Sequence, residues 1–136
     1  MVSGGAGAIG RAIALRFADE GANVAILDIN ADAVGKLVDE IRSRGVLAHG
    51  SVVDVRDYAA VKACVDAAAE ALGGIDIVVN AAGGSARKRM DLFERIDISV
   101  VDDVVDINLT GTSPIVGANF VDLTDAAVRL GHLLDD

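Results

Sequence analysis

The stretch VSGGAGAIG at residues 2–10, followed by RAIALRFADE at 11–20 and NVAILD at 23–28, decides how this chain is read. Gly5-x-Gly7-x-x-Gly10 has the spacing of a dinucleotide-binding turn. Glycines there permit a tight turn, let a pyrophosphate approach the backbone, and allow close contact between helix and strand. A helix over 9–20 follows, with Ile9, Ile13, Ala14 and Phe17 on one face and Gly21 as its C-terminal stop. Its free N–H groups and positive dipole end suit an anion. Residues 23–28 then read as a buried strand ending on Asp28. That acid follows Gly10 at close to the spacing of about 20 residues expected of a ribose-binding carboxylate. A carboxylate at that place accepts both ribose hydroxyls and repels a 2′-phosphate. No Arg or Lys lies in residues 3–10, and Ile29 and Asn30 follow Asp28, so the cofactor expected is NAD rather than NADP.

The same alternation continues outward. A helix is predicted over 31–44, with Val34, Leu37, Val38 and Ile41 aligned and Gly45 at its end. Residues 46–53 read as a strand broken by Gly50, and 57–72 as a helix with Val61, Cys64, Val65, Ala68 and Leu72 as its apolar stripe. Gly73-Gly74 stops it, IDIVV at 75–79 reads as a strand, and the loop NAAGGSARKR follows. Residues 99–109 read as a helix with Ser99 as N-cap, and 122–134 as a last amphipathic helix. Apolar strands joined by helices imply a parallel sheet covered on both faces. With right-handed crossovers this is an α/β, three-layer doubly wound parallel sheet of Rossmann type. It reads as incomplete at both ends. Only Met1 and Val2 precede the glycine loop, where a central strand belongs, and no strand pair is evident after residue 79. The division expected is a nucleotide-binding half-domain over 1–112 and a divergent tail over 113–136.

Composition narrows the functions. The chain has 136 residues, 52% apolar and 24% charged, which suits one globular domain. A chain this long buries roughly two-thirds of its unfolded surface. The net charge of −9 disfavours nucleic acid and an anionic membrane surface, and an aromatic content of 3% leaves no stacking platform for bases. No apolar run approaches the roughly 18 residues of a membrane span. The start has neither the basic nor the apolar region of a signal peptide. The single cysteine, Cys64, has no partner for an internal disulfide, in keeping with a reducing compartment. A cytoplasmic protein is therefore expected. His49 and His132 stand apart from any ligand cluster, so no metal is expected.

Four motifs in order make the sequence resemble the short-chain dehydrogenases/reductases. The family's Thr/Ser-Gly-x-x-x-Gly-x-Gly is similar to Ser3, Gly4, Ala8 and Gly10, with Ala8 in place of the middle glycine. Its adenine-contacting Asp-Val matches Asp54-Val55 within VVDVRD. Its Asn-Asn-Ala-Gly looks like Asn80-Ala81-Ala82-Gly83, and its Asn-Leu-x-Gly like Asn108-Leu109-Thr110-Gly111. The resemblance covers residues 2–112, the cofactor-binding half of the family's domain. It implies Ser3, Gly4, Gly7, Ala8, Ile9 and Gly10 at the pyrophosphate, Asp28 at the ribose, Asp54 and Val55 at adenine, and Asn80, Ala81, Ala82 and Gly83 along the nicotinamide side. Asn108 is the one catalytic residue it carries over, with the role of holding a water relay to a lysine.

The family's chemistry, hydride transfer between a nicotinamide and a carbonyl or secondary alcohol, also uses a Ser and a Tyr and Lys four residues apart, all downstream of that Asn. Residues 113–136 contain no Tyr and no Lys, and Ser113 follows Asn108 too soon. Tyr58-x-x-x-Lys62 has the internal spacing but opens the helix after the adenine motif, away from the nicotinamide end. The expectation is an oxidoreductase's NAD-binding portion that turns nothing over as this chain alone, its small-molecule substrate unspecified. Two alternatives stay open. One is a non-catalytic NAD module completed by a partner chain or a homo-oligomer at the open edge of the strand at 75–79. The other is a different Rossmann enzyme such as a methyltransferase. Arg87, Lys88 and Arg89 form a basic patch read as solvated.

Overall fold

A computed structural model describes residues 1–85, 97–112 and 115. Four parallel strands make one sheet in the order β3-β2-β1-β4. They are β1 (Val2–Ser3), β2 (Val24–Asp28), β3 (Ala48–Val52) and β4 (Val79–Asn80), joined by α1 (Ala8–Asp19), α2 (Ala31–Arg42) and α3 (Tyr58–Leu72). Helix α4 (Ile98–Val105) runs into a π-helical turn over Asp106–Thr110. The order reverses at β1, which pairs with β2 on one side and β4 on the other. This is the switch point at which open α/β sheets bind ligands, beyond the carboxyl ends of their strands.

Strand β2 shows why two helical layers are needed. Its residues Val24, Ala25, Ile26 and Leu27 are all buried, and successive side chains leave a strand on opposite faces. Val24 and Ile26 join Ala14, Leu15 and Ala18 of α1 and Val34, Leu37, Val38 and Ile41 of α2 in one core. Ala25 and Leu27 join Val61, Val65 and Ala68 of α3, with Met1, Val53, Val55 and Ile75, in the other. The predicted three-layer, doubly wound class is what the structure shows.

Five local expectations change. The central strand is short but in place: Val2 sits opposite both Ile26 and Val79, and Ser3 opposite Leu27 and Asn80. The strand expected over 75–79 pairs only at Val79–Asn80, because β1 spans two residues and sets the length of the ladder. Gly50 does not break β3; all five residues pair with β2. A Cβ at Gly50 would come within 2.6 Å of Val38 and 2.7 Å of Val34, so the glycine lets α2 lie against the strand. Ser99 is not the N-cap of α4. The Asp97 carboxylate accepts the Ser99 N–H at 2.8 Å, so the helix opens one residue earlier. Residues 99–109 are also not one regular helix, since its last turn widens to π geometry at Asp106. The tail helix at 122–134 and the basic patch at 87–89 lie outside the described residues.

Candidate functional site

Four carboxyl-end loops converge on a cleft of about 330 Å³. It is lined by Gly4 and Gly7 after β1, Asp28 and Ile29 after β2, Val53–Arg56 after β3, Ala81–Gly83 after β4, and Ile107 of the π-helical turn. Of the residues singled out in the sequence, Gly4, Gly7, Asp28, Asp54, Val55, Ala81, Ala82 and Gly83 are on its wall. Ser3, Ala8, Ile9, Gly10, Asn80 and Asn108 are not.

The glycine loop is built around close backbone approach. Gly4 has φ +60°, and a Cβ there would lie 2.6 Å from the backbone of Ala82. Gly10 faces the Gly4 carbonyl with no room for a methyl group. The loop thus stays flat against its neighbours and leaves the first turn of α1 open. Asn30, Asp57 and Asp97 cap α2, α3 and α4 with side-chain oxygens, but Gly7 gives α1 none, and the first turn of α1 carries no acidic residue. The opening N–H groups of a helix have no partner within it and carry positive partial charge. That donor set, with space beside it, fits a pyrophosphate.

Asp28 closes the opposite side. Its Oδ2 accepts the Ala6 N–H at 3.0 Å and its Oδ1 the Asn30 N–H at 3.1 Å. The carboxylate therefore ties the glycine loop to the end of β2. Each oxygen keeps one of its roughly two acceptor sites for a ligand hydroxyl.

Asp54 forms a fork with Arg56, a residue that the sequence reading passed over. Arg56 Nε lies 3.0 Å from Oδ1 and 3.1 Å from Oδ2, Nη2 lies 2.5 Å from Oδ2, and the Arg56 backbone N–H reaches Oδ1 at 3.0 Å. These hydrogen bonds hold the Asp54 carboxyl below the usual carboxylate range. The Arg56 guanidinium is held cationic in return, with Asp103 and Asp106 adding to the field of Asp54. Val53 and Ile107 also escaped the sequence reading, and Ile29 entered it only as an uncharged neighbour of Asp28. Their apolar side chains line the cleft, a wall that suits the faces of a flat ring system.

Two predicted residues act from behind the wall. Ser3 is fully buried; its Oγ accepts the Ala82 N–H at 3.3 Å and its carbonyl accepts the Ala81 N–H at 3.1 Å. It sets where the 80–83 loop leaves the sheet. Asn108 sits in the π-helical turn. Its Nδ2 donates to the carbonyls of Gly84 and Val104, both at 2.7 Å, and its Oδ1 accepts the Gly84 N–H at 3.3 Å. Both amide hydrogens are used within the protein, so a water could reach this side chain only as a donor to Oδ1.

Tyr58 opens α3 exposed to solvent, Lys62 pairs with Asp66 at 2.8 Å, and neither lines the cleft. Among the described residues there is no group of His, Cys, Asp and Glu arranged to hold a metal ion. No helix among them is long and apolar enough to cross a membrane.

Known proteins share the fold over part of their length. The family described as short chain dehydrogenase matches residues 1–126. D-threitol dehydrogenase of Mycolicibacterium smegmatis is 38% identical over 112 residues, 82% of this chain and 42% of that protein. A crystal structure of NAD+-bound xylitol dehydrogenase superposes with a TM-score of 0.85 at 34% identity, over 90% of this chain and 46% of that one. Actinorhodin polyketide ketoreductase with NADPH superposes with a TM-score of 0.77 at 31% identity, over 87% of this chain and 46% of that one. The chain thus spans less than half the length of these relatives. Homologues of this fold bind NAD or NADP.

Proposed function

The chain belongs to the short-chain dehydrogenase/reductase family, and on that premise we propose that it is the NAD-binding portion of an oxidoreductase acting on a carbonyl or secondary alcohol. The observation that carries the reading is the cleft itself, with the uncapped start of α1 on one side and the Asp28 carboxylate on the other. When bound, a nicotinamide cofactor supplies the site that accepts or donates hydride.

The chain's own residues divide the remaining work. The backbone amides at the start of α1 hold the pyrophosphate. Asp28 accepts the ribose hydroxyls, and its charge turns away a 2′-phosphate, which favours NAD over NADP. Asp54 and Val55 meet adenine between the apolar walls of Ile29 and Val53. Ala81, Ala82 and Gly83 run along the nicotinamide side, and Asn108 fixes that loop from behind. Within the chain no Tyr and Lys follow Asn108 to move a proton at the substrate oxygen. By itself the chain would then bind cofactor without turnover. The family match leaves the methyltransferase reading without support.

The test pairs two assays on the purified chain. Equilibrium dialysis with NAD should show saturable binding that Gly7→Asp, which puts a carboxylate on the cleft wall at the open start of α1, abolishes. A panel of secondary alcohols with NAD should yield no NADH above background. Turnover by the chain alone would overturn the inactive reading, and absent binding would overturn the cofactor reading.

A second reading rests on β4. It pairs with β1 on one side, and among the described residues no strand lies on its other side. A module completed there by a partner chain, or by a second copy, would elute as an oligomer; a stable monomer in size-exclusion chromatography counts against it.

A further inference from the structure

We propose that the outer edge of β3 is a guarded pairing edge: the Arg42 side chain reaches from α2 onto the Ala48 carbonyl and keeps a second copy of this chain from adding its own β3 there. It stands apart from the cofactor reading and holds whichever dinucleotide the cleft takes.

In the order β3-β2-β1-β4, β3 is the outermost strand, and among the described residues no strand lies on its other side. In a parallel ladder, successive residues turn their backbone groups alternately to the two sides. The Leu47 carbonyl accepts the Val24 N–H at 3.0 Å, and the Leu47 N–H donates to Asn23 Oδ1 at 3.0 Å. At the other end of the strand the Val53 N–H donates to the Asp28 carbonyl at 3.0 Å. Leu47 and Val53 therefore face β2, and Ala48, Gly50 and Val52 turn their N–H and C=O groups outward. Such a row is a template for another strand. Leu47 and Val52, near its two ends, are exposed apolar side chains that a neighbouring strand would partly cover. The row is also self-complementary. A second β3 laid antiparallel about Gly50 sets Ala48 of one copy against Val52 of the other, with no side chain at the twofold axis to crowd the crossing. That pairing needs the Ala48 carbonyl. Arg42, the last residue of α2, already donates Nη2 to it at 3.0 Å. The guanidinium thus stands where the N–H of an added strand, roughly 2.9 Å from the same oxygen, would have to stand. A twofold pair would meet one guanidinium at each of its ends. Charged side chains on an open edge are a known guard against such pairing.

The test is sedimentation equilibrium of the whole chain over a concentration series, with amide hydrogen exchange read at Gly50 and Val52. Arg42→Met keeps the apolar stem and removes the donor. It should associate about tenfold more tightly than the unaltered chain or better, the scale of one or two hydrogen bonds. In the associated form the Gly50 and Val52 amides should exchange about tenfold more slowly or better, because the other copy's strand then holds them. An oligomer joined at the β4 edge would leave those two amides as they are, so the two edges are told apart. Should Arg42→Met not melt cooperatively, Arg42→Ala takes its place, since it ends α2 on the best helix former. A folded variant that associates no more tightly than the unaltered chain overturns the proposal. So does association that leaves exchange at Gly50 and Val52 unchanged.

Discussion

Asn108 and Gly84 close a ring of two hydrogen bonds across the cleft's rear wall: the Gly84 N–H donates to Oδ1 at 3.3 Å, and Nδ2 donates to the Gly84 carbonyl at 2.7 Å. A carboxamide bonded to both the N–H and the C=O of one residue fixes its register as well as its distance. The π-helical turn over Asp106–Thr110 aims it, and π geometry is often found at functional sites. Replacing Asn108 by Ala removes the clamp and leaves the Gly84 backbone to water. The expected result is a loss on the order of 1–2 kcal/mol in stability by urea unfolding. NADH binding should weaken as the 81–83 wall loosens. Asn108→Asp keeps one acceptor and loses both donors, so it should not rescue either effect. An unchanged NADH affinity in Asn108→Ala would separate this clamp from the site.

Gly4 is the residue of the glycine loop with a left-handed backbone conformation. Its φ of +60° and the 2.6 Å approach to Ala82 exclude any side chain without movement of the backbone. Gly4→Ala is expected to cost roughly 1–3 kcal/mol in strain and to separate β1 from the 80–83 loop. Thermal melting would show the first, and loss of dinucleotide binding in the folded fraction the second.

Asp28 does two jobs with one carboxylate, and a variant can part them. Asp28→Asn keeps one acceptor for the Ala6 or Asn30 N–H but removes the negative charge. The chain should remain folded, NADH should bind more weakly, and NADPH should lose its electrostatic penalty. The ratio of the two affinities, measured by fluorescence, should shrink by about tenfold.

The Asp54–Arg56 pair predicts a pH dependence. The Asp54 pKa is lower in the folded chain than in the unfolded one, chiefly through its hydrogen bonds to Arg56. Stability from the pair is therefore present above the unfolded carboxylate value of about 3.9 and is lost as pH falls through the folded value. Both side chains are partly exposed, so the contribution is small and screened by salt. Arg56→Met should be less stable than the unaltered chain at neutral pH, and the gap should close as the pH is lowered below that window. A gap that stays constant with pH would place the effect elsewhere.

The residues show why some of this was legible in sequence. The β–α order and the two-sided core followed from periodicity, because Val24–Leu27 and the stripes of α1, α2 and α3 are local patterns tied to helix and strand geometry. The glycine loop and Asp28 were legible because their roles depend on spacing along the chain. Arg56 was not, because its role appears only once its guanidinium and Asp54 share a cleft wall. Only the family resemblance places Ser3 at the pyrophosphate, and a hydroxyl next to a glycine loop gives no sign in sequence that it is buried and bonded to the Ala82 N–H. The π-helical turn was hidden for a different reason. An apolar stripe over 99–109 fits an α-helix and a widened last turn equally, and only the hydrogen bonds of Asn108 reveal what the extra width allows.

The central claim is that the cleft between α1 and Asp28 is an assembled NAD site, and fluorescence titration of the purified chain with NADH, with NADPH beside it, tests it most directly. The account predicts saturable NADH binding, about tenfold or more tighter than NADPH, because in the proposed pose the Asp28 charge would repel the extra phosphate. Binding of neither dinucleotide, or NADPH binding as tight as NADH, would contradict it.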